Sequence, residues 1–167
     1  MQAIIDWTSF YTEKGLWVYP SDLEEKQWVY WKGIKTDKDY KQVCSKWSWN
    51  STVSIKLVVG KKGVRVLEVT NKRLLKKALV LLGLPEEYPW IIYSQSKYGI
   101  IIDTPSVSIL TKGMKNKSFK QVRLLWEGYY SLPSVGVPIY FYKNRKPTGH
   151  PTQIPDELFL NCLENLI

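Results

Sequence analysis

The chain is short of the residue types that most chemistry needs. Its 167 residues hold two cysteines, one histidine, and fifteen acidic against twenty-four basic side chains. Cys44 and Cys162 lie far apart and form no Cys-x-x-Cys pair. They read as free thiols of a reducing, cytoplasmic compartment. With His150 as the lone histidine, a structural zinc site lacks its usual four ligands. Gly-x-Ser-x-Gly, a Walker loop and a Cys/His nucleophile pair are all missing. No apolar run approaches the roughly 20 residues of a membrane span. The N-terminus has no basic-then-apolar leader layout. Membrane, secreted and zinc-finger classes are therefore set aside, and the expectation is one domain with a sizeable core.

What the chain does have is positive charge in one place. Residues 1–50 carry seven basic and seven acidic side chains, a net of zero. Residues 51–126 carry fourteen and four, a net +10, and residues 127–167 three and four, a net −1. A basic field confined to part of a surface attracts polyanions and speeds their encounter. The contributors expected to meet nucleic acid are Lys61 and Lys62 in Gly60–Gly63, and Lys72, Arg73, Lys76 and Lys77 on a helix. Lys112, Lys115, Lys117, Lys120 and Arg123 follow further on.

The periodicity is mixed. Ile4, Trp7, Phe10 and Tyr11 give a first helix that Gly15 can end. A strand over 16–19 and a helix over 37–47 follow. Val53–Val59 and Val64–Val69 are β-rich runs joined by Gly60-Lys61-Lys62-Gly63, which predicts a hairpin. Asn71 caps a helix with one apolar stripe, Leu74, Leu75, Ala78, Leu79 and Leu82, ended by Gly83 and Pro85. Strands are expected at 90–93 and 99–103 around a polar turn, then a Lys/Gly/Asn/Ser loop over 111–120. Further strands are expected at 122–126, 129–132 and 139–142, and Pro155 opens a last helix. The class is α+β, a mixed sheet with helices packed on one face. Among the aromatics, Trp7, Trp17, Trp47 and Trp90 sit in apolar patterns and read as core. Trp28, Trp31, Trp49 and Tyr98 lie by polar loops and are the candidates for stacking on bases.

The order of these pieces resembles the prim-pol domain, the primase/polymerase module of mobile-element replication proteins. Tyr11–Pro20 (YTEKGLWVYP) matches its opening helix, glycine and strand. Val53–Thr70 matches its apolar strand, turn and acid-bearing strand, Leu82–Pro85 its Gly-Leu-Pro, and Tyr93–Gly99 its Ser-Gly-type turn. Val122-Arg123-Leu124-Leu125-Trp126 matches its V-[DE]-L-x-W strand, and Leu132–Ser134 its Pro-Pro-Ser. The resemblance covers nearly the whole chain. It implies an RRM-related mixed sheet, and a DNA primase/polymerase activity that places acids where this chain has Glu68, Thr70 and Arg123, and a histidine near Ile101. It also implies a phosphate-binding turn at Ser94, Ser96, Lys97 and Gly99, and a helicase or other replication protein as partner.

Two-metal nucleotidyl transfer needs clustered carboxylates. Here only Glu68 remains, and Arg123 stands where a third acid belongs. Like charges at ~4 Å in an effective dielectric near 20 cost about 4 kcal/mol, so no metal cofactor is expected. The expectation is a catalytically degenerate domain that binds nucleic acid, DNA before RNA. Two alternatives stay open. One is an active, Mg- or Mn-dependent enzyme that adds Asp103 or Glu127 to Glu68. The other is a protein-interaction scaffold.

Overall fold

A computed structural model of the chain describes residues 2–20, 33–44, 54–60, 63–104 and 116–166. Lys61, Lys62, Lys112 and Lys115 lie outside these residues, as do Trp28, Trp31, Trp47 and Trp49. The described elements are α1 (Gln2–Glu13), β1 (Val18–Pro20), α2 (Asp37–Cys44), β2 (Ile55–Val59), β3 (Val64–Val69) and α3 (Lys72–Leu81). After these come β4 (Ile91–Ser94), β5 (Lys97–Asp103), β6 (Lys117–Phe119), β7 (Val122–Leu125), β8 (Gly128–Leu132), β9 (Tyr140–Phe141) and α4 (Asp156–Leu166). A 3-10 turn at Tyr142–Asn144 follows β9. The fold is mixed α+β, with two antiparallel sheets ordered β1-β2-β8 and β6-β7-β3-β5-β4-β9. No helix among the described residues is long and apolar enough to cross a membrane.

The expected β2–β3 hairpin is not what forms. β2 pairs with β1 and β8, and β3 pairs with β5 and β7. The register explains why. Val59 faces Gly128 at one end of the corner and Val66 faces Leu125 at the other. The run from β2 through β3 thus lies antiparallel to the run from β7 through β8, and both bend from one sheet into the other. Gly60 makes the first bend with φ 98°, and a Cβ there would sit 2.9 Å from Glu127 Cβ. Gly128 makes the second with φ 119°. Left-handed backbone and close approach both demand glycine.

Residues 111–115 of the loop expected over 111–120 lie outside the described residues, and in the remainder Lys117–Phe119 instead pairs with β7 as an exposed edge strand. Its composition has little β preference, so cross-strand pairing decides it. Helix α3 forms as read. Asn71 Oδ1 accepts from the Leu74 amide at 2.8 Å, and Leu74, Leu75, Ala78 and Leu79 are buried. Gly83 (φ 71°) and a Leu84 N–H to Leu79 carbonyl bond of 2.8 Å close it.

Helices flank the large sheet on both sides rather than one. Direct cross-strand partners share a face, so Glu68, Arg123, Gly99, Ile92 and Phe141 lie on one side. On that side Trp7 and Phe10 of α1 meet Phe141. Arg65 lies on the other side over Trp126, which packs on Phe159 of α4. Ile100, Ile102, Leu67 and Trp90 are all essentially inaccessible at the centre.

Candidate functional site

Of the residues at the resembled catalytic positions, Glu68 and Arg123 converge. Glu68 on β3 stands directly across from Arg123 on β7 and from Gly99 on β5. Ile101 is on the same face, two pairs along, opposite Val66. Thr70 is not part of this group. It lies just past the end of β3, exposed, its N–H donating to the Gln121 carbonyl at 3.1 Å. Ile101 is fully buried among aliphatic neighbours.

Glu68 is 8% exposed, and both its oxygens are engaged. Arg123 Nε lies 3.2 Å from Oε1, and the Tyr130 hydroxyl donates to Oε2 at 3.0 Å. Burial, then the adjacent Glu68 charge, push the Tyr130 phenol well above its ordinary value, so it remains a donor. Tyr130 reaches Glu68 from the small sheet by crossing over Gly99, where any Cβ would overlap its hydroxyl. That approach is only possible because residue 99 is glycine. Gly99 therefore lies inside β5 beneath Tyr130, not in the turn where a phosphate was expected.

The turn itself is narrower than the sequence implied. Only Gln95 (φ 50°) and Ser96 (φ 63°) connect β4 to β5, in the two-residue hairpin form that needs left-handed backbone at both positions. Ser94, Gln95 and Lys97 line a cleft of about 200 Å³ together with Glu68, Arg123, Tyr130 and Ser131. Lys56 reaches the Ser131 hydroxyl at 2.5 Å. Glu68 is cancelled by Arg123, so Lys97 leaves this cleft net positive.

The acid set does not suit two metal ions. Glu68 has no free oxygen in this arrangement, and its nearest charged neighbour is a cation. Asp103 shares the Glu68 face but pairs with Val64, four residues along. At ~3.3 Å per residue that is about 13 Å, far beyond the ~4 Å of a two-metal site. Glu127 is exposed at the corner beside Gly60. No group of three or more His, Cys, Asp or Glu able to hold a metal occurs among the described residues.

Asp103 has its own arrangement. It is 4% exposed, and Oδ2 lies 2.9 Å from His150 Nε2, whose Nδ1 lies 2.8 Å from the Lys14 carbonyl. Its Oδ1 is buried without a hydrogen-bond partner. His150 thus ties the loop before α4 to the end of α1.

The basic residues fall into an exposed arc. Lys72, Arg73, Lys76 and Lys77 point to solvent on α3, with Lys76 3.8 Å from Glu86. Lys117, Lys120 and Arg123 are exposed on the β6–β7 hairpin. Gln121 joins the two groups, since its carbonyl accepts from Thr70 and its side chain accepts from Asn71 Nδ2 at 3.3 Å. Tyr98 is no stacking candidate. It is 6% exposed and packed against Tyr93 and Tyr142. The exposed aromatic beside the basic arc is Phe119, 45% accessible. The sequence signal was there, an aromatic set among lysines in Lys117–Lys120.

No protein-family model matches the chain, and a search of curated proteins finds no match.

Proposed function

We propose that this chain is a prim-pol-like domain without nucleotidyl transfer that binds nucleic acid, DNA before RNA, within the replication machinery of a mobile element. The observation that carries the reading is Arg123 standing across from Glu68 and ion-paired with it at 3.2 Å. The position where a catalytic metal would sit is served by a side-chain cation. The surrounding cleft and the exposed arc on α3 and the β6–β7 hairpin keep the positive field that a phosphate backbone needs. Ser94, Lys97 and Arg123 are the residues placed to meet a phosphate in the cleft, and Ser96 caps the turn above it. A cytoplasmic setting and a helicase or other replication protein as partner follow from the same resemblance.

The test is anisotropy of a labelled ~20-nucleotide single strand, and of its duplex, titrated across a salt series. Affinity is expected to fall linearly in log salt. Reversal of Lys72, Arg73, Lys76 and Lys77 to Glu is expected to weaken binding and flatten the slope. Absence of binding at low salt would turn the reading toward a protein-interaction scaffold. Primer extension with Mn that disappears in Glu68→Ala would overturn the loss of catalysis.

A further inference from the structure

We infer that the β6–β7 hairpin tip is a single-strand contact in which Phe119 stacks on an unpaired base while flanking cations hold the adjoining phosphates. This rests on the nucleic-acid reading above and narrows its ligand to unpaired bases. Four observations meet at the tip. Phe119 is 45% exposed on an edge strand whose three residues all face solvent. An exposed phenyl costs solubility and contributes nothing to the core here, whereas most other aromatics of the described residues are buried or packed.

Lys120 Nζ lies 5.6 Å from the Phe119 ring centre, and Lys117, two residues back on β6, shares the ring's face, whereas Arg123 lies on the opposite, Glu68 face. A ring among cations is the arrangement that accepts a base on its face and its phosphates alongside. Lys120 has φ 46°, so the turn is tight. Finally, the tip is tied down. Gln121 bonds both Thr70 and Asn71, the cap of α3, which sets the exposed Lys72 and Arg73 beside it. A platform fixed before binding loses little entropy on contact. In a duplex the bases are already stacked, so the phenyl has no face to cover and only the cations act.

The probes are a labelled dT20 strand, an abasic strand of the same length, and a duplex, bound to the whole chain and to Phe119→Ala and Phe119→Trp. Phe119→Ala is expected to weaken dT20 binding roughly ten-fold and to leave the abasic strand and the duplex unchanged. Phe119→Trp is expected to restore dT20 binding. Unchanged melting of both variants shows that the fold is intact. If the natural chain binds dT20 and the abasic strand equally, or Phe119→Ala weakens all three probes alike, stacking is wrong while nucleic-acid binding stands. If the natural chain binds none of the probes, the broader reading fails and takes this one with it.

Discussion

Glu68 and Asp103 are two buried carboxylates on one face of the same sheet, about four strand residues apart, and they are handled in opposite ways. Glu68 has both oxygens bonded, one by a half-exposed arginine and one by a buried tyrosine. Asp103 has one oxygen on His150 and the other buried with no hydrogen-bond partner. The difference is one of source. The partners of Glu68 come from strands paired or folded directly over it, so the sheet's register sets the contact. The partner of Asp103 comes from a loop about fifty residues later, so its geometry depends on how the chain closes. A carboxylate satisfied by its own sheet holds little capacity for a ligand, whereas one met by a loop keeps an oxygen in reserve.

The largest effect should come from the point where the Glu68 arrangement has no slack. Gly99→Ala drives a methyl group into the Tyr130 hydroxyl. Overpacking plus the loss of the Tyr130–Glu68 bond should cost about 3 kcal/mol. Chemical denaturation should show the loss, and combining Gly99→Ala with Tyr130→Phe should recover part of it. A cost below that of an ordinary surface change would mean that Tyr130 does not cross over the strand.

Alkaline pH probes both carboxylates through their tyrosines. Burial, then Glu68, raises the Tyr130 phenol, and burial also raises Tyr88, whose hydroxyl donates to the Ile101 carbonyl, with Asp103 adding to the shift. Tyr11 and Tyr40 are raised by burial too, and the Cys162 thiol is pushed up to about 12. The folded chain keeps these protons where the unfolded chain releases them, near pH 9 to 10. Their contribution is therefore complete below that range and is lost progressively as pH rises from it toward the much higher values of the folded chain. Arg65 acts the other way. Burial lowers it to about 10, so between there and its higher unfolded value it favours folding as pH rises. With one such group against five, the melting temperature should fall steadily from pH 9 to 11. Phenolate absorbance from Tyr11, Tyr40, Tyr88 and Tyr130 should appear only with unfolding.

The asymmetry of each pair gives a sharper comparison. The Asp103 side chain is 5% exposed and that of His150 is 36%. His150→Ala strands a buried carboxylate and should cost about 2 kcal/mol. Asp103→Ala leaves only a half-exposed ring, and should cost about half as much. For the other pair, Arg123→Ala still leaves Tyr130 donating to Glu68, so its cost should be about 1 kcal/mol. Equal costs for the two members of the Asp103–His150 pair would contradict the burial difference that orders these effects.

The same contrast explains what could be read from the chain. Local signals carried far: the Asn71 cap, the apolar stripe of α3, the β-rich runs and the left-handed glycine after α1 all form where periodicity and turn residues put them. Glu68 and Arg123 could be set together only through the prim-pol resemblance, since strand alternation alone would have put Thr70 beside Glu68, and Thr70 lies past the end of β3. Tyr130 over Gly99 was not, because it depends on a bend that carries two strands into a second sheet. The Gly60–Gly63 segment has every mark of a hairpin, and only the competing partner β8 decides against it. Asp103–His150 was hidden for the same reason, being a contact across 47 residues with no local pattern. Phe119 was readable as an aromatic among lysines, but its strand was not, since Lys-Ser-Phe pairs only because β7 offers an edge.

The smallest effect tests whether the turn above the Glu68 cleft is built for stability. Gln95 and Ser96 both have left-handed backbone, which residues with a Cβ adopt at a cost, and Asn-Gly is the pair such turns prefer. Ser96→Gly relieves the second position and should stabilise the chain by up to about 1 kcal/mol. Gln95→Asn should add a few tenths more. Neither change touches Glu68, Arg123 or Tyr130, so the cleft's closed carboxylate should be unaffected. A hairpin shaped only for folding would have taken that gain. If Ser96→Gly raises the melting temperature while weakening the binding of single strands, the strain at this turn serves the contact. If it raises both, the turn serves only to reverse the chain, and the phosphate contact rests on Lys97 and Arg123 instead.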